Sequence, residues 1–98
     1  MEKTRSKKRK GVRGVIWNKA ELAETLGVSL KTADDWIRKG MPVIKRGSTA
    51  DAYEISSADA IEWVQMCGIA RGLARKHGTT FQAEFDQLSR ERDFWRGL

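Results

Sequence analysis

The stretch Asn18-Lys-Ala-Glu-Leu-Ala-Glu-Thr-Leu-Gly-Val-Ser-Leu-Lys-Thr-Ala-Asp-Asp-Trp-Ile-Arg-Lys-Gly40 carries the outline of two short helices and the turn between them. Asn18 is a good N-cap, and Glu21 three residues on completes a box-like start for a first helix over Lys19 to Leu26. Leu22, Ala23 and Leu26 share one face of that helix. Gly27 is placed to end it in the left-handed conformation that other residues adopt only at a cost. Val28 fills the corner, and Ser29 caps a second helix running from Leu30 to about Lys39, with Ala33, Trp36 and Ile37 turned inward. Gly40 and then Pro42 stop it. A helix-turn-helix needs a small residue inside helix one, a Gly at the turn and apolar residues on the inner face of helix two, because its helices cross closely. Counted from Ala23, the residues Gly27, Ala33 and Trp36 stand at the spacings that meet this need.

With Ala33, Trp36 and Ile37 inward at 100° per residue, Lys31, Asp35 and Arg38 lie on the far side of the second helix, flanked by Thr32, Asp34 and Lys39. These are the side chains a DNA groove would meet. Lys31 and Arg38 can donate to guanine N7 and O6. Thr32 can touch a thymine methyl or hydrogen-bond a base or phosphate, and either Asp can accept from cytosine N4. A plainer account stands beside this one: Lys31–Asp35, Asp34–Arg38 and Asp35–Lys39 are opposite charges at i, i+4, as on any solvated helix.

Met41 to Arg46 and Ala52 to Ile55 are short β-prone runs separated by Gly47-Ser48-Thr49-Ala50-Asp51, which predicts a hairpin with a longish loop. As a wing behind the second helix, its Lys45, Arg46, Gly47, Ser48 and Thr49 suit contact with phosphates or the adjacent minor groove. It can equally be a surface hairpin with incidental charges. Ser56 or Ser57 caps a third helix with Asp59 in its first turn and Ile61, Val64 and Cys67 or Gly68 along one face beside Trp63, extending as far as His77. A last helix begins at Thr79 or Thr80, and Phe81, Phe85, Leu88 and Trp95 fall on one stripe, with Arg92 where a heptad wants an apolar residue. That stripe fits a fold-back onto the domain, a dimer seam or a surface for a protein partner.

The net charge of +6 on 98 residues is unevenly placed. Residues 1–17 hold seven Lys or Arg (Lys3, Arg5, Lys7, Lys8, Arg9, Lys10, Arg13) against Glu2, while the rest of the chain carries twelve of each sign. The N-terminal arm has almost nothing apolar to bury and is expected to stay disordered until it meets a polyanion; Lys7, Lys8, Arg9, Lys10 and Arg13 are its candidate phosphate contacts. A solubilising tail has the same composition. The expected fold class is mainly α with a small β-hairpin: a disordered basic arm (1–14), a winged helix-turn-helix (15–77) and a C-terminal amphipathic helix (78–98) for dimerisation or partner contact.

Other classes find little support. There is no phosphate-loop motif, no Cys/His cluster with metal spacing, and Asp34 and Asp35 diverge by 100°, so neither enzyme, cofactor nor metal is expected. His77 and Cys67 are solitary, and Cys67 cannot form an internal disulfide. No apolar run approaches the roughly 18 residues of a membrane span, and no apolar h-region follows the basic start, so a cytoplasmic location is expected.

The run from Asn18 to Val43, followed by Tyr53-Glu54-Ile55 and Ala58-Asp59-Ala60-Ile61-Glu62-Trp63, resembles the N-terminal domain of lambda-type phage terminase small subunits. The most distinctive parts are Trp36, the Gly40-Met41-Pro42-Val43 junction, and the Gly-containing loop leading to an aromatic-bearing strand. The resemblance implies a dimeric winged helix-turn-helix that binds packaging sites on viral double-stranded DNA and brings the large ATPase and nuclease subunit to them. It implies Lys31, Thr32, Asp35 and Arg38 as recognition-helix candidates, beside which the helical spacing sets Lys39, and Lys45 to Thr49 as the wing. Excisionases and MerR-like regulators share this element order, so a phage or prophage excisionase or regulator is the alternative.

Overall fold

The computed structural model describes residues 13–97. Its elements are β1 (Ile16–Trp17), α1 (Lys19–Leu26), α2 (Leu30–Lys39), a single 3₁₀ turn (Ala50–Ala52), β2 (Ile55–Ser56), α3 (Ser57–His77) and α4 (Phe81–Arg96). The architecture is mainly α with one small antiparallel β element, as the composition of the segments implied. Two compact units divide the chain, one running to Glu62 and the other starting at Trp63.

In the first unit the local signals act where the sequence puts them. Asn18 Oδ1 accepts from the Glu21 amide at 2.7 Å, and Glu21 returns the favour to the Asn18 amide at 2.9 Å, which closes the capping box of α1. Gly27 takes φ 71° and ψ 34°, and its amide turns back to the Ala23 and Glu24 carbonyls. A β-carbon at that φ would be strained, so the residue that ends α1 and starts the turn has to be glycine. The Val28 amide also reaches the Ala23 carbonyl, at 2.9 Å. Ser29 then caps α2 by accepting from the Thr32 amide at 3.1 Å. The turn between α1 and α2 is thus three residues long, and Leu22, Ala23, Ala33 and Ile37 are buried on the facing sides. Trp36, expected inward with Ala33 and Ile37, is half-buried; α2 turns its Ala33 and Ile37 edge to the core and leaves the indole at the margin.

The β pairing differs from the expected hairpin. The two-stranded ladder joins β1 to β2, with Ile16 opposite Ser56 and Trp17 opposite Ile55. The runs 41–46 and 52–55 share one isolated bridge, Lys45 with Glu54. The physical reason is where the apolar residues go: Ile16, Trp17 and Ile55 are all buried, whereas Ile44 is 41% exposed and gives a longer hairpin no inner face. Met41, read as the start of a strand, is buried to 2% exposure and closes the bottom of α2. Ser56 accepts from the Asp59 amide at 3.2 Å and caps α3.

Within α3 the buried residues are Ala60, Trp63, Met66, Cys67 and Ala70, while Ile61 is exposed and Val64 half-buried. The expected face of Ile61, Val64 and Cys67 is therefore displaced by about one residue, because apolar side chains occur on two adjacent stripes and the pattern does not choose between them. In the second unit Thr80 caps α4 through the Ala83 amide at 3.1 Å. Phe85 meets Trp63 edge-on with centroids 6.2 Å apart, and Phe81 lies 5.6 Å from Phe85. Arg92, the misfit in the heptad, sends Nη1 to the Met66 sulfur at 3.7 Å. No described residue of α4 is buried.

Candidate nucleic-acid interface

The outer face of α2 is built by its inner one. Burial of Ala33 and Ile37 fixes the rotation of the helix, and Lys31, Arg38 and Lys39 are then exposed. Thr32 is half-buried and takes a hydrogen bond from the Ser29 hydroxyl at 3.1 Å, which leaves its own O–H proton for another acceptor. Asp35 accepts from Arg38 Nη2 at 2.5 Å, an i, i+3 pair in place of the i, i+4 partners the sequence offers. Asp34 instead pairs with Lys19 of α1, whose ammonium also stands 4.2 Å from the centre of the Tyr53 ring.

The sequence places Lys19 at a helix start and Tyr53 in a β-prone run but assigns neither a contact. Together they tie α1, α2 and the segment before β2 at one point, and the Lys19 side chain is only 12% exposed there. Beside this junction lies a shallow concavity lined by Asp34, Ile37, Arg38, Arg46 and Tyr53. The structure thus brings Arg38 of the helix and Arg46 of the following loop to one place. Lys45, Ser48 and Thr49 are exposed on the same loop. Gly47 is half-buried, and the space its β-carbon would take is filled by the Ala52 methyl and backbone. Close packing of the loop on itself accounts for this glycine.

Arg13, counted with the basic arm, is held to the folded body. Its Nη1 donates to Asp59 at 2.8 Å and lies 3.4 Å from Glu62. Its carbonyl accepts from the Ser56 hydroxyl at 2.6 Å, and the next amide but one, Val15, donates to Ser57 Oγ at 2.9 Å. The hydrogen bond to Asp59, with the nearby charge of Glu62, raises the Arg13 pKa against the opposing effect of desolvation. Lys7, Lys8, Arg9 and Lys10 lie outside the described residues.

On α4, Phe81 and Trp95 are exposed and Phe85 and Leu88 half-buried. Phe94 and Trp95, 62% and 69% exposed, contact each other edge-on at 5.4 Å. Among the described residues no group of His, Cys, Asp and Glu can hold a metal ion, and no helix is long and apolar enough to cross a membrane.

Comparison with known proteins adds a direction. Over 46 residues, 47% of this chain, the sequence is 37% identical to the terminase small subunit of Escherichia phage lambda. The likeness is to terminase small subunits and DNA-packaging proteins. The same identity and span relate it to the DNA-packaging protein NU1 homolog and the prophage DNA-packing protein NohA, both of Escherichia coli strain K12. The matched segment covers about a quarter of the length of these relatives (25%, 25% and 24%). No family model and no solved structure matches the chain.

Proposed function

We propose that this chain binds double-stranded DNA site-selectively as a terminase small subunit, recognising a viral packaging site and bringing a large ATPase and nuclease subunit to it. The observation that carries this reading is the meeting of Arg38 and Arg46 in one concavity, in a chain of which 47% is similar to a terminase small subunit. We read α1, its turn and α2 with the bridged loop 45–54 as a winged helix-turn-helix. In it α2 enters the major groove and offers Lys31, Thr32 and Arg38 to base edges. Lys39, Lys45, Arg46, Ser48 and Thr49 follow the backbone, and the cationic residues before Arg13 add sequence-independent affinity. Asp34 and Asp35 each face a cation of the same chain, which reduces their repulsion of phosphate without removing it.

The apolar end of α4, with Phe94 and Trp95, suits a protein partner, either a second copy of the chain or the large subunit. The role asks no chemistry of this chain itself and belongs in the cytoplasm of the host bacterium. Co-purification with a large packaging ATPase and a footprint near a viral DNA end is the expected result. A footprint confined to an integration site or a promoter would replace this reading with an excisionase or a regulator.

A further inference from the structure

We propose that Asp35 is a positioning residue that holds the Arg38 guanidinium in one orientation on α2 and so sets sequence selectivity, without touching DNA; this rests on the DNA-binding reading above. Asp35 Oδ1 accepts from Arg38 Nη2 at 2.5 Å, the two side chains being 44% and 69% exposed. An exposed ion pair contributes little to stability, so what the contact changes is geometry. Arginine is a long side chain with many rotamers, and a free one must be ordered when it meets a base.

The pairing leaves the reading function of the guanidinium intact. Of its five N–H donors one is spent on Asp35, and whichever hydrogen of Nη2 is used, one complete two-donor edge remains for guanine O6 and N7. Arg38 also lines the concavity shared with Arg46, so the guanidinium that Asp35 holds faces the loop that follows α2. The neighbouring Asp34 is occupied by Lys19 and is no rival for Arg38. Asp35 thus restrains the arginine, and its own negative charge penalises any backbone approach in which Arg38 fails to find its base.

The test uses the full chain and a duplex enriched by it from a random-sequence pool, with a shuffled duplex as reference. Asp35→Ala should lower the ratio of affinities for selected over shuffled duplex by roughly fivefold, the low end of the loss for one bidentate base contact. Affinity for the shuffled duplex should hold or rise, since a charge repelling phosphate is gone. Asp35→Asn, which keeps an acceptor for Nη2, should retain more of the selectivity than Asp35→Ala. With Arg38→Ala already in place, Asp35→Ala should remove no further selectivity. An unchanged ratio in Asp35→Ala overturns the proposal. A full loss persisting in the Arg38→Ala background also overturns it, because Asp35 would then read DNA itself. If the parent chain enriches no sequence at all, the DNA-recognition reading fails together with this one.

Discussion

Lys19 Nζ stands 4.2 Å from the centre of the Tyr53 ring while it pairs with the Asp34 carboxylate of α2. One ammonium thereby joins three segments that are distant in sequence. The cation–π contact is worth about 0.5–1 kcal/mol and a half-exposed pair up to about 1 kcal/mol.

Lys19→Met keeps the aliphatic stem and removes the charge. It should cost about 1 kcal/mol, which for a domain of this size lowers the melting temperature by roughly 4–8 °C. Tyr53→Leu in the Lys19→Met background should add less than it does alone, since the two share one interaction. Full additivity of the two changes in thermal melts would show that the contact holds nothing together.

Gly47→Ala addresses the loop that carries Arg46. The added β-carbon would come within 2.6 Å of the Ala52 carbonyl carbon and 2.8 Å of its oxygen as well as meeting the Ala52 methyl. Overpacking of this kind costs typically about 1–3 kcal/mol. Ala52→Gly in the same chain should restore only part of the loss, because the backbone obstruction stays. Chemical denaturation measures both, and a Gly47→Ala chain as stable as the parent would mean the loop simply moves aside.

The caps and the turn of α1 and α2 were legible in the sequence because they are local. Asn18, Glu21, Gly27, Ser29 and Gly40 act on backbone groups within a few residues. The pairing of Ile16 with Ser56 was not, since two-residue strands forty residues apart leave no periodicity to detect. Their short apolar pair after a cationic run reads as the edge of the arm. Candidate charges on α2 were found, but their partners were not: on a helix with alternating signs every i, i+4 choice looks alike, and Lys19 takes Asp34 only once α1 has packed. For the same reason Arg13 looked like arm and is anchored by Asp59.

At the turn between α3 and α4, Glu84 accepts from Thr79 Oγ1 at 2.5 Å and lies 3.3 Å from His77 Nδ1. The Thr79 hydrogen bond, then that of His77, hold its carboxyl below the usual glutamate pKa. A depressed folded-state pKa contributes stability above the unfolded value of about 4.5 that is lost as pH falls through the folded one. Glu84→Gln should therefore be less stable than the parent at neutral pH, and the gap should close in acid below that value. Urea titrations at neutral and strongly acidic pH compare the two. A gap of constant size would mean that ionisation of Glu84 contributes nothing.

The anchoring of Arg13 sharpens what the N-terminal cations should do. Lys3, Arg5, Lys7, Lys8, Arg9 and Lys10 precede it, whereas its own guanidinium is engaged by Asp59 and Glu62. Each phosphate neutralised on duplex DNA adds about 0.9 to the slope of log affinity against log salt. Deleting residues 1–12 should weaken binding to selected and shuffled duplexes alike and flatten that slope by up to about 5. The selectivity ratio should stay as it was, because the groups on α2 that we propose read the bases remain. Arg13→Ala, in contrast, should lower the melting temperature while leaving the slope nearly unchanged. A deletion that leaves the slope intact would take the arm out of DNA binding, and one that abolishes the ratio would move site selection from α2 to the arm.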